Sequence, residues 1–381
     1  MTFARFSRLL GLAFFTAASA TFAGAQTYIV TDLGTLGGTT SYAYGVSDSG
    51  IYVGASTKTT SSDFQAFSYS NGTQTGLGTL AGGLISEANA VNNSGTVVGD
   101  SATSGSGMAH AFAYVNGALV DMGTFGGSQS FAYGINSAGL ATGYADVSAA
   151  SGGGTHAFSY DTTKAGATKT DLGTLGGRAS YGYGINASGA IVGYSSTTNN
   201  TASHAFIDAK DPMTGVATMT DIGTLNNGKG NSFGRGINKD GTAVGYSDTG
   251  VAGQQLAFAY TGAGGMQSLG TLAGTVNSRA LGINDSGVIV GYSINASNAT
   301  TAFVYANSAM VSLSAYSGIS NWTFQYAASI NNNGVIVGYG MNPQKQIHAF
   351  ALTQVTPAPS SLLFAIVGAG GIGVAVRRKR K

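Results

Sequence analysis

The side chains best suited to chemistry in this sequence are few and regularly placed. His110, His156, His204 and His348 each open the phrase His-Ala-Phe, and Asp32, Asp121, Asp171 and Asp221 each open another, Asp-x-Gly-Thr. Four equivalent imidazoles can ring a metal on a symmetry axis, and a pair of carboxylates can hydrolyse a glycosidic bond. The residues around them favour neither chemistry. The histidine position is Gln65, Leu256 and Thr301 in the other copies of the phrase, and no carboxylate is expected to accompany it. Along an extended strand His156, Phe158 and Tyr160 share one face, which predicts packing against a neighbouring unit rather than a metal. The aspartates lack a second carboxylate at a fixed spacing, so they are expected as acceptors in turns or between repeats. Asn-rich turns such as Asn284-Asp285-Ser286-Gly287 lack the ligand series and closing Glu of a calcium loop. No metal and no cofactor is expected.

Two nucleotide-like motifs fail for want of context. Gly368 to Gly373 matches GxGxxG, but a dinucleotide fold needs a helix, a second strand and an acidic residue about 20 positions on. Only eight residues follow Gly373, and five of them are basic. "GTLNNGKG", from Gly223 to Gly230, puts glycine where a P-loop needs Ser or Thr to hold magnesium. There is no GxSxG elbow, and Glu87 is the sole glutamate. Nothing legible assembles a nucleophile, a base and an oxyanion hole.

The elements that must position these residues are short strands. Of 381 residues only 8% are charged and 61 are glycine, a composition suited to strands and tight turns more than to long helices. There is no cysteine, hence no disulfide framework. Seven of the 17 basic residues lie at the chain ends, so the body is mildly acidic and has no basic stripe for nucleic acid.

Self-comparison shows seven copies of one phrase, from "GVSDSGIYVGAS" at Gly45 to "SINNNGVIVGYG" at Ser329. Each is followed by an aromatic phrase such as "HAFSY" and preceded by one such as "DLGTLGG". These read as four strands per unit: a ("SYAYGIN"), b ("GxIVGYS"), c ("HAFxY") and d ("TDLGTL"), with a tight Gly turn between a and b. Four strands in about 45 residues predict a seven-bladed β-propeller across 26–355. The mature chain opens on a d strand and ends on a c strand, so the N-terminal strand is expected to complete the last blade and seal the ring. The body resembles the HAF family of bacterial extracellular repeats, which implies class and location but no activity.

Both ends read as addresses. Residues 1–25 have a basic start, an apolar stretch and a small-residue A-x-A end, a signal helix with expected cleavage between Ala25 and Gln26. Residues 362–376 form an apolar segment, expected to be helical, before five cations, which would stay on the cytoplasmic side. The tail 356–381 resembles the PEP-CTERM sorting signal, which databases also label an ice-binding protein C-terminal domain. The resemblance implies an exosortase-type processing enzyme as partner, with Pro357-Ala358-Pro359 as the motif and Ala358 standing where that family has Glu. The expectation is an exported protein, held at the inner membrane until processed and then at the cell surface or in the matrix.

In an up-and-down ring the b–c and d–a loops share one rim, and variable loops on a rigid scaffold are the usual place for recognition. Lys229, Arg235 and Trp322, the only tryptophan, are the candidate ligand residues there. The sequence thus points to a non-catalytic component that binds extracellular polysaccharide or another surface partner. The competing classes are a polysaccharide hydrolase or lyase, and an ice- or mineral-binding surface.

Overall fold

The computed structural model describes residues 27–59, 61–103, 107–210, 214–316, 318 and 321–355. The expected signal peptide, the Ala25–Gln26 junction, Pro357-Ala358-Pro359 and the segment 362–376 lie outside the described residues. Among the described residues no helix is long and apolar enough to cross a membrane.

The chain is all-β, and each repeat becomes four antiparallel strands in the order of its phrases. In the fourth repeat these are Gly176–Ile185, Ile191–Thr197, Ser203–Lys210 and Ala217–Asp221. Residues 126–171 and 176–221 join into one eight-stranded sheet, but through a single parallel contact, Thr155 against Ala179. The strand Thr27–Asp32 pairs antiparallel with Ile347–Val355, from Thr27 opposite Val355 to Asp32 opposite Phe350. The two ends of the described chain therefore share one sheet. Sheets of four strands following one another in this way form a propeller-like architecture.

The aromatic phrase supplies the core between sheets. Phe67, Phe112, Phe158, Phe206, Phe258, Phe303 and Phe350 are all fully buried. Phe206 shows the pattern, lying in one cluster with Ile191 of its own repeat and Ala157 and Leu172 of the repeat before.

Polar side chains tie sheet to sheet. A serine in six of the a strands accepts a hydrogen bond from the Ala N–H of the preceding repeat's Ala-Phe phrase and donates to a glycine carbonyl. Ser180 Oγ does so with Ala157 (2.8 Å) and Gly173 (2.5 Å), and Ser41, Ser86, Ser130, Ser232 and Ser278 repeat it. At the other end of the strand the asparagine of "GIN" works twice. Asn186 Oδ1 accepts from the backbone of Ser188 and Ala190, shaping its own turn, while Nδ2 donates to Asn238 O in the next repeat at 3.0 Å. The same inter-repeat bond runs from Asn92 to Asn136, Asn136 to Asn186, Asn238 to Asn284, Asn284 to Asn331, and Asn331 to Ser47. Ser47 is too short to continue it, and Asp48 N–H donates to Asn93 Oδ1 instead. The circuit of turns thus closes on itself.

Candidate functional site

The inner a strands enclose an axial cavity of about 400 Å³, whose wall includes the a–b turns. Residues three positions before each turn asparagine, or before Ser47, line it: Tyr44, Asn89, Tyr133, Tyr183, Arg235, Leu281 and Ala328. A volume of that size falls within the roughly 300–1,000 Å³ of small-molecule sites.

Around the cavity runs an aromatic band in which rings of adjacent repeats touch. Tyr144 meets Tyr181 edge-on at 4.8 Å, Tyr194 meets Phe233 at 4.9 Å, Tyr42 meets Tyr339 at 4.7 Å, and Tyr292 lies 4.2 Å from Tyr326. Burial pushes the phenols of Tyr44, Tyr133 and Tyr194 well above their ordinary range, so they act as neutral hydrogen-bonding groups. Two guanidiniums interrupt the band. Arg235 lies over the Tyr183 ring at 4.0 Å and donates to the Tyr246 hydroxyl at 3.2 Å. Arg279 lies over Tyr246 at 4.5 Å and donates to Tyr292 Oη and Gln255 Oε1.

In the second repeat the band turns acidic. Glu87 and Asp100 stand directly opposite each other across an antiparallel strand pair, and Asn89 Nδ2 donates to Asp100 Oδ1 at 3.1 Å. Burial, and then the charge of Glu87, push Asp100 from 3.8 up to about 7 against the lowering effect of that hydrogen bond. Glu87 is also raised by burial. The proton on Asp100 is therefore bound more tightly in the folded than in the unfolded chain. Its contribution to stability is complete below the unfolded value near 3.8 and is lost as pH rises through about 7. Asp100→Asn keeps the acceptor for Asn89 and removes the titration. The variant is expected to gain thermal stability over the wild type at pH 8 and to match it near pH 4. Melting curves that stay parallel across that range would contradict this.

The sequence signal for this pair was a departure from the repeat. Asp100 sits in "VVGDS" where later repeats read "VGYS", "TGYA" or "VGYG", and Glu87 takes a position held mainly by Phe or Tyr.

The histidines correct the sequence reading. A carboxylate does accompany each one. His110 Nδ1 lies 2.9 Å from Asp121, His156 2.7 Å from Asp171, His204 2.7 Å from Asp221, and His348 2.9 Å from Asp32. The c and d strands of one sheet run side by side and bring the pair together, so the imidazole is bonded within its own sheet. The cue was available: histidine and aspartate occur in the same four repeats and are absent together from the other three. The aspartates also act as the expected turn acceptors, since Oδ1 of each takes the N–H of the glycine two residues on. Among the described residues no group of three or more His, Asp or Glu is placed to hold a metal ion.

The three candidate ligand residues are placed in different surroundings. Lys229 is exposed in the loop before the fifth a strand, whereas Arg235 lines the axial cavity. Trp322 is half-buried, stacks on Phe324 with centroids 6.0 Å apart and meets Phe350 edge-on. Arg235 is the one that the structure joins to a cavity.

No protein-family model matches the chain, and no curated protein matches it. Solved structures of similar fold include a gluconolactonase from Xanthomonas campestris, at 9% identity and TM-score 0.43 over 88% of this chain and 93% of that one. The β-propeller domain of the Trilobed protease from Pyrococcus furiosus matches at 10% identity and TM-score 0.38, over 73% of this chain and 99% of that domain. TolB from Acinetobacter baumannii matches at 13% identity and TM-score 0.39, with 63% of this chain covered. The match spans 61% of the TolB chain. Their names describe those proteins, and at such identities a function is not carried by fold.

Proposed function

We propose that the chain is an exported seven-bladed propeller that binds, without cleaving, an extracellular polysaccharide. The observation that carries this reading is the division of labour within the repeat. The a-strand serines and turn asparagines hold one repeat to the next, while the b–c loops differ from repeat to repeat, with five residues at 342–346 and seven at 148–154. A rigid ring presenting variable loops is built for recognition. The expected signal peptide and the PEP-CTERM-like tail support export, exosortase-type processing and a surface or matrix location.

The test is co-sedimentation of the purified protein with the producing organism's own extracellular polysaccharide, with the polymer length followed in parallel. Saturable co-sedimentation with the polymer intact is expected. Absence of binding would overturn the reading.

One observation favours the hydrolase alternative: Glu87 and Asp100 are adjacent carboxylates, and burial with the charge of Glu87 pushes Asp100 up to about 7, the kind of pairing a glycosidase uses. Neither residue lines the axial cavity, although Asn89, which bonds Asp100, does, so a sugar in the cavity would not lie between them. Polymer shortening that disappears in Glu87→Gln would establish the alternative.

A further inference from the structure

We infer that the axial cavity is a binding site for a carboxylate-bearing small ligand, with Arg235 as the group that recognises the carboxylate. The argument starts from an unbalanced charge. A guanidinium taken out of water is costly unless an anion accompanies it. The partners of Arg235 are the phenols and ring faces of Tyr183 and Tyr246, and it enters no ion pair with a described carboxylate. Its Nε is buried without a hydrogen-bond partner. Arg235 is nevertheless one of the residues lining the cavity, three positions before the turn at Asn238, and so is Tyr183, over whose ring its guanidinium lies. The stacked rings hold the fork in one orientation, which is what bidentate carboxylate recognition requires.

The other charges around the cavity are already engaged. At the turns, Asn332 Nδ2 donates to both Asp48 and Asp285, and Lys239 Nζ pairs with Asp240. The remaining wall includes Tyr44, Tyr133 and Tyr183 and also Asn89, whose amide donates to Asp100 and to Ala132 O, so Arg235 is the charge left for a ligand. A uronic acid is the first candidate for the carboxylate. This sugar source rests on the polysaccharide reading above, whereas the carboxylate site itself does not.

Arg279 provides the control. It is a second ring-stacked guanidinium with an unpartnered Nε and no ion pair, but it does not line the cavity. Titration calorimetry of the full chain would use glucuronate, acetate and glucose as probes. Glucuronate is expected to bind more tightly than glucose. Its affinity should fall at least tenfold in Arg235→Gln, fall less in Arg235→Lys, and hold within about twofold in Arg279→Gln, a hydrogen bond to a charged group being worth about 1.5–3 kcal/mol. Acetate binding as tightly as glucuronate, with both lost in Arg235→Gln, would support the carboxylate site with a non-sugar source. Should Arg235→Gln fail to fold, Arg235→Lys against Arg279→Gln makes the same comparison. The inference is overturned if no carboxylate binds at millimolar concentration, if glucose binds as well as glucuronate, or if the Arg235 and Arg279 variants lose equally. Polymer co-sedimentation that persists in Arg235→Gln would leave the rim reading standing while this site fails.

Discussion

Gly193→Ala is expected to destabilise the protein by about 3 kcal/mol or more, at the upper end of what an overpacked core costs. A Cβ at Gly193 would lie 1.9 Å from Tyr181 O and 2.9 Å from Cζ of the Phe206 ring. The carbonyl belongs to the facing strand and cannot swing aside as a side-chain tip can, so the strand pair itself must open. The same glycine recurs through the repeats, with the Cβ-to-carbonyl approach 1.9 Å at Gly54, Gly99, Gly143, Gly245 and Gly338. Its role is space. Gly241 is the contrast, with φ +78° and nothing within 4 Å of a Cβ. Gly241→Asn should cost only a few tenths of a kcal/mol, because asparagine tolerates that left-handed backbone. Urea midpoints of the two variants check the difference. A Gly193→Ala protein within about 1 kcal/mol of wild type would refute the close-approach account.

Asn186→Ala is expected to cost about 3 kcal/mol, because one deletion strands polar groups in two repeats. Asn186 is 6% exposed. Its loss would leave the Ser188 and Ala190 N–H groups without their acceptor and Asn238 O without its donor. Asn186→Asp separates the two roles. The carboxylate keeps the turn acceptor but sets an oxygen against the Asn238 carbonyl unless it carries a proton. Its folded-state pKa must therefore rise, so the deficit of this variant should be smallest in acid and grow as pH rises towards neutrality. Thermal melts of both variants between pH 4 and 8 read this directly. A pH-independent deficit for Asn186→Asp would mean that the inter-repeat bond contributes little.

These two positions show why so much of the architecture was legible in the chain. Asn186 shapes a turn through bonds to residues two and four positions away, and such local chemistry repeats wherever "GIN" repeats. The phenylalanine of His-Ala-Phe fills one kind of gap between sheets, so it too recurs without variation. Fourfold strand phrases, their order and the opening d strand all follow from interactions spanning a few residues. They could be read along the chain for that reason.

The site was less legible, because its members meet only through register and ring closure. Asp171 reaches His156 across neighbouring strands, and Asp32 reaches His348 from 316 positions away. Arg235 reads along the chain as a loop residue beside Lys229, yet it lies within the strand Ser232–Ile237 and lines the axial cavity. Glu87 and Asp100 looked like isolated departures from a repeat until strand pairing set them face to face. Trp322 was marked by its rarity, and its packing on Phe324 and Phe350 depends on a sheet it does not reveal by itself. The repeating unit can be read along the chain, since backbone pairing and turn chemistry act over short spans. Which unlike residues of different strands and repeats meet cannot, because those contacts depend on how whole sheets are registered and packed around one axis.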